Sequence, residues 1–239
     1  MIRTLLVSVW AVVWTFLMAV WAVLLGLVTR SDNLVHRLSA QVWGCYLLIP
    51  MGIRVRVSGL EQIDPTHPCV FMPNHQSNFD IPILLSTLRI QFRFLAKKEL
   101  FNIPVFGWGM KKAGYIPIDR SNSRAGVKSF LEAAEKIQNG TSVIIFPEGT
   151  RSYDGQIGEF KKGGFSLAIA AHVLIYPVVI KGAWEIMPRG KFKIRLGKVD
   201  VTILPPVSTD GHSRKDAEMV KEKVHTIMTT AFALPRETN

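Results

Sequence analysis

Residues 123–152, SRAGVKSFLEAAEKIQNGTSVIIFPEGTRS, carry a helix, a turn, a buried strand and a polar loop in succession. Val127, Phe130, Leu131, Ala134 and Ile137 recur at three- and four-residue spacing, which predicts an amphipathic helix over 123–139. Ser121–Ser123 offer capping hydroxyls or amides ahead of it, and Asn139-Gly140 closes it. Ser142–Phe146 then reads as a fully buried strand, with Val143, Ile144 and Ile145 in a row. A helix leading into a buried strand that ends in a polar cluster is the repeating unit of an α/β domain. Reactive groups in such domains lie just beyond the C-terminal ends of the strands.

The alternation extends both ways from this stretch. Upstream, Ile53, Val55 and Val57 alternate with Arg54, Arg56 and Ser58, the two-residue period of a half-buried strand. Pro68–Met72 and Phe92–Ala96 read as strands with a helix over Ile81–Thr87 between them, and Tyr115–Ile118 as another strand. Phe101–Lys112 reads as helical but interrupted by Pro104 and the glycines near it. Downstream come a helix over Gly163–Ala171 and a buried strand over Leu174–Ile180. Strands over Phe192–Leu196 and Asp200–Ile203 follow, then an amphipathic helix from Ser213 to about Phe232. The expected fold is therefore α/β, a mostly parallel central sheet flanked by helices, occupying 54–239.

Residues 1–53 have a different composition. From Thr4 to Val28 there are 25 uncharged, mostly apolar residues between Arg3 and Arg30, more than the roughly 20 needed to cross a bilayer core. The run is too long for a signal-peptide core and lacks a small-x-small cleavage site before Arg30. Trp10, Trp14 and Trp21 sit in mid-span, where tryptophan is unusual, and leave open a helix that dips into one leaflet. Leu38–Ile53 is a second uncharged stretch, too short to span and interrupted by Gly44, Pro50 and Gly52. Together these predict a two-helix membrane anchor over 1–53.

The formal net charge is +11, and residues 1–29 contribute only Arg3, so the remainder carries 28 basic against 18 acidic side chains. A basic domain behind an apolar leader suits an anionic membrane or anionic substrates, not nucleic acid, and belongs on the cytoplasmic face. Cys45 and Cys69 make neither a disulfide framework nor a zinc site, and no cluster at ligand spacing requires a metal.

Two polar clusters follow buried strands. In Asn74-His75-Gln76-Ser77-Asn78-Phe79-Asp80, a histidine can take a proton from an alcohol if its ring is oriented and its imidazolium stabilised. Asp80 can turn back to do both, although His75 alone reads equally as structural and Asp80 as a helix N-cap. In Phe146-Pro147-Glu148-Gly149-Thr150-Arg151-Ser152, Gly149 permits close backbone approach and the following amides can form an anion nest. Arg151 offers a planar fork for phosphate, and Glu148 can orient it or hold a substrate hydroxyl.

These blocks, with Gly114–Arg120 (GYIPIDR) and Tyr176–Ile180 (YPVVI), occur in the order found in glycerophosphate acyltransferases. The sequence resembles that family over roughly 55–205, with Ala96–Leu100 and Phe160–Phe165 also similar, and comes closest to its lysophosphatidate-using branch. The resemblance implies acyl transfer from a thioester to the sn-2 hydroxyl of 1-acyl-glycerol-3-phosphate, giving phosphatidic acid. It implies His75 as base, Asp80 as its orienter, and Arg120 and Arg151 on the acceptor phosphate. Glu148, Gly149 and Thr150 would line the acceptor site, and Lys97 is a further phosphate candidate beside the reading of a snorkelling surface lysine.

No Gly-x-Ser-x-Gly elbow occurs, and Ser77 lies too close in sequence to His75 for a nucleophile pair, so direct transfer without an acyl-enzyme is expected. The expected partners are membrane lipid and an acyl donor, acyl-CoA or acyl-carrier protein, with no cofactor. A sister transferase acting on glycerol-3-phosphate or another lysophospholipid, a thioesterase, and a non-enzymatic basic membrane or nucleic-acid module remain as rivals.

Overall fold

The computed structural model describes residues 2–119 and 123–236, the side chains of 123–128 excepted. Arg120, the expected cap at Ser121–Ser123 and the side chain of Val127 thus lie outside the described residues. The apolar leader forms α1 (Ile2–Thr29), long and apolar enough by length and composition to cross a membrane. A second helical stretch follows as α2 (Asp32–Val35), a π-helical turn (His36–Gln41) and α3 (Val42–Leu48).

The remainder runs β1 (Ile53–Ser58), β2 (Cys69–Pro73), α4 (Asp80–Thr87), β3 (Phe92–Lys97), α5 (Phe106–Lys112) and β4 (Ile116–Ile118). It continues with α6 (Ser123–Gln138), β5 (Ser142–Ile144), α7 (Lys162–Ala171), β6 (Leu174–Lys181), α8 (Ala183–Ile186), β7 (Gly197–Ile203) and α9 (Ala217–Ala233). Seven strands form one sheet in the order β1-β7-β6-β2-β5-β3-β4. Every pairing between these seven strands is parallel except β6 with β7, and Val207 adds an antiparallel bridge to Ile175.

Both faces of the sheet are covered, which is why its central strands read as unbroken apolar runs. In β2, Cys69 and Phe71 point into a core shared with α3 and α4, while Val70 and Met72 point into a second core under α6, α7 and α9. In β6, Tyr176, Val178 and Ile180 face the first core and Ile175 and Val179 the second. Leu131, expected on the apolar face of α6, is exposed. Ala133, Ala134 and Ile137 make the buried stripe, and Leu131 lies one helical step to its side.

Two expected elements differ. Phe192–Leu196 is an irregular loop, because the neighbouring edge strand starts only at Ile53, paired with Gly197, and offers nothing for 192–196 to pair with. The expected helix over 101–112 is split. A 3-10 turn (Lys98–Asn102) gives way to a γ-turn in which the Phe106 amide donates to the Pro104 carbonyl, holding Val105 at φ +64°, and only then does α5 begin.

The loop after β2 is stitched to β6 by a side chain. Buried Asn74 donates from Nδ2 to the Ile180 carbonyl (2.9 Å) and accepts from the Ile180 amide at Oδ1 (2.7 Å). Asn74→Ala strands both buried backbone groups, and should lower stability by about 1–3 kcal/mol. A denaturant titration in detergent, with wild type alongside, reads the difference.

Candidate active site

β2 and β5 are adjacent and parallel, with Val70 opposite Val143 and Phe71 opposite Ile144. Their C-terminal ends therefore deliver the loops 74–80 and 145–152 side by side, at the edge where α/β sheets place ligands. The loops are bonded to each other. The Ser152 amide donates to the His75 carbonyl (2.8 Å), and Gln76 Nε2 donates to the Gly155 carbonyl (2.6 Å).

His75 and Asp80 meet as their spacing suggested. His75 Nδ1 lies 2.7 Å from Asp80 Oδ2, and that oxygen also accepts the amides of Gln76 (2.7 Å) and Ser77 (2.8 Å). Asp80 opens α4 and is fully buried, but its carboxylate turns back onto its own loop instead of capping the helix. A carboxylate acceptor at Nδ1 puts the proton of the neutral ring there and leaves Nε2 with its lone pair. No described residue bonds Nε2, and the His75 side chain keeps 17% of its surface open. The ring is stacked on Phe146, centroids 3.9 Å apart, and Phe146 in turn on Phe94 at 6.4 Å, so it can pivot little. Ser77 Oγ donates away from the histidine, to the Met187 carbonyl (2.9 Å).

Glu148 has a different position from the one its neighbour Arg151 suggested. Its carboxylate accepts the His75 amide at Oε1 (2.7 Å) and the Gly158 amide at Oε2 (3.2 Å), and forms no ion pair with Arg151. It clamps the His75 loop from below. Gly149 adopts φ +68°, a left-handed conformation that favours glycine, with the Lys161 side chain passing beside it. Thr150 is exposed and Arg151 half-buried, with no described residue bonded to the Arg151 guanidinium. Lys97, at the end of β3, pairs with Glu99 (3.1 Å) in an exposed contact, and the structure does not join it to either loop.

Sequence reasoning missed Arg189. Its Nη1 donates to Thr150 Oγ1 (2.7 Å) and to the Arg151 carbonyl (2.9 Å), while the guanidinium lies 3.9 Å from the centroid of the Tyr153 ring. It fixes the far side of the 148–152 turn from a loop nearly forty positions away, and only its charge hinted at a role.

An apolar cavity of about 520 Å³ opens against Asn78 and Phe79, in the loop that carries the pair. Asn78, Phe79, Phe94 and Met187 line its near end, and it continues between the sheet domain and the leader helices. From α1 it is lined by Ser8, Ala11, Thr15, Met18, Ala19 and Ala22, one stripe of the helix that covers about 20 Å of its length.

Burial raises the Glu148 pKa above the ordinary glutamate value, against the pull of the two amides it accepts. A carboxyl of this kind binds its proton more tightly folded than unfolded, so its contribution is most favourable in acid and is lost as pH rises. Relative to Glu148→Gln, the wild-type melting temperature should fall as pH rises from 4.5 upward, and parallel curves would contradict the assignment.

A model of the acyltransferase family matches residues 54–181. The chain is 38% identical over 174 residues to a chloroplastic 1-acyl-sn-glycerol-3-phosphate acyltransferase of Brassica napus, covering 72% of this chain and 50% of that one. It is 30% identical over 220 residues to the human 1-acyl-sn-glycerol-3-phosphate acyltransferase alpha, covering 92% and 77%. The chain thus spans about half the length of the Brassica relative and about three quarters of the human one. The crystal structure of the 1-acyl-sn-glycerophosphate acyltransferase PlsC from Thermotoga maritima superposes with a TM-score of 0.76 at 28% identity, over 95% of this chain and 96% of that one. With the family's model matching more than half of its residues, this chain belongs to the acyltransferase family.

Proposed function

We propose that this acyltransferase moves a fatty acyl group from a thioester to the sn-2 hydroxyl of 1-acyl-glycerol-3-phosphate, with phosphatidic acid as product. The observation that carries this reading is His75 Nε2, unbonded to any described residue, on a ring held by Asp80 and Phe146, in a loop that walls an apolar cavity of acyl-chain character. The names of the relatives supply the acceptor.

In the proposed reaction the acyl chain lies in the cavity and its thioester carbonyl sits next to His75. Nε2 takes the proton of the acceptor hydroxyl as that oxygen bonds to the carbonyl carbon. The imidazolium forms against the buried Asp80 carboxylate, which stabilises it. Collapse of the tetrahedral intermediate breaks the C–S bond, and the leaving thiolate takes the proton back from the imidazolium. Arg151, and Arg120 by its motif, bind the acceptor phosphate. Thr150 and Gly149 shape that site, Glu148 and Arg189 hold it in position, and Lys97 is a further contact for the phosphate. The reading calls for no metal or cofactor, and the donor is an anionic thioester, acyl-CoA or acyl-carrier protein.

We read residues 1–53 as the membrane anchor and 54–239 as the acyltransferase domain, with the domain on the cytoplasmic face. Arg3, at the start of α1, donates to the carbonyls of Met51 (2.6 Å) and Ile194 (3.0 Å). Near the other end, Gly26 lies so close to Lys112 that a Cβ there would clash with its side chain. A helix of 28 residues, about 42 Å long, fastened to one domain near both ends supports lying along a single leaflet, not crossing it.

A radiolabelled assay offering both donors and a panel of acceptors tests the reading. 1-acyl-glycerol-3-phosphate should be preferred over glycerol-3-phosphate and over water, and free fatty acid as the dominant product would make the protein a thioesterase. His75→Ala should lower kcat by about 10²–10⁴-fold, measured at a temperature where circular dichroism shows the variant folded. Arg151→Ala should act mainly through the acceptor KM, and an unchanged KM removes Arg151 from the phosphate site.

A further inference from the structure

The loop between α8 and β7 reads Lys191-Phe192-Lys193-Ile194-Arg195-Leu196. Its backbone is held in place. The Lys191 amide donates to the Pro188 carbonyl, the Arg195 amide to the Ile186 carbonyl, and the Ile194 carbonyl accepts from Arg3. Ile194 is buried and lines the cavity, so the loop forms part of the cavity wall. On this fixed frame Phe192 is 90% exposed and Leu196 65% exposed, while Lys191, Lys193 and Arg195 are exposed and pair with no described carboxylate. Two large apolar side chains held out together on one loop, rimmed by three cations, form a patch of the kind that marks an interaction surface. A boundary between water and anionic lipid suits it, since the ring enters the acyl region and the cations stay with the phosphates.

The location agrees with that occupant. Arg3 binds the Ile194 and Met51 carbonyls at once, so the loop meets the start of α1 and the end of the second helical stretch. Ile2, Leu5, Leu6 and Ile49 there are also exposed apolar side chains. The loop therefore prolongs the apolar outer face of the anchor along the rim of the cavity.

We propose that residues 191–196 are a second membrane contact, in which Phe192 and Leu196 enter the interface of an anionic bilayer and Lys191, Lys193 and Arg195 bind its phosphates. The contact sets the mouth of the cavity at the level of the lipid headgroups, and it rests on the reading of 1–53 as the anchor. Each cation near an anionic surface should favour the inserted state about fivefold.

Spin labels on the full chain separate this contact from the anchor itself. In a Cys45→Ser background, Leu17→Cys reports α1, Phe192→Cys reports the loop and Lys223→Cys reports α9, far from the anchor. In vesicles of phosphatidylcholine with phosphatidylglycerol, the labels at 17 and 192 should collide with oxygen in preference to a water-soluble nickel complex, and the label at 223 should do the reverse. A label at 192 as wet as that at 223, with 17 in lipid, overturns the loop contact alone. Wet labels at both 17 and 192 overturn the anchor as well. Reversing Lys191, Lys193 and Arg195 to glutamate should lift the 192 label toward water in these vesicles, and no change would remove the cations from the contact.

Discussion

A single buried oxygen organises the reactive end of this molecule. Asp80 Oδ2 accepts the His75 ring and two consecutive backbone amides, so one atom fixes the path of the loop and the plane of the imidazole together. A carboxylate oxygen so far from water needs such partners. Glu148 repeats the device one loop further on, its two oxygens consumed by the amides of His75 and Gly158. The two carboxylates belong to loops that follow neighbouring parallel strands, and Glu148 reaches the His75 amide between them.

The strands were legible because burial on both faces leaves an unbroken apolar record, as in Ser142–Phe146 and Leu174–Ile180. The His75–Asp80 contact was legible because four intervening residues are enough to turn a chain back on itself. Phe192–Leu196 alternates like a strand yet is none, since a strand also needs a neighbour and that information lies at Ile53, far away in sequence. The γ-turn at Val105 and the break it makes in a helical pattern come from backbone closure that no side-chain spacing records.

The site was legible in part for a related reason. His75 and Asp80 are local to one loop. Arg151 was readable as a planar fork for phosphate, but the apparent Glu148–Arg151 partnership dissolves because the carboxylate faces backbone amides from two other segments. Arg189 reaches Thr150 and Arg151 across the fold, and a contact of that range leaves no periodicity to read. The expected boundary at residue 53 follows composition faithfully, yet the cavity crosses it, with Ser8 through Met51 on one side and Asn78 through Ile194 on the other.

That shared wall means the leader cannot be regarded as a detachable tether. A polypeptide beginning at residue 54 would keep the sheet and both polar loops while the part of the apolar hollow walled by Ser8 through Met51 stood open to solvent. Swapping leaders between relatives would exchange part of the lining of the chamber along with the apolar helix, so the two are inherited as one character.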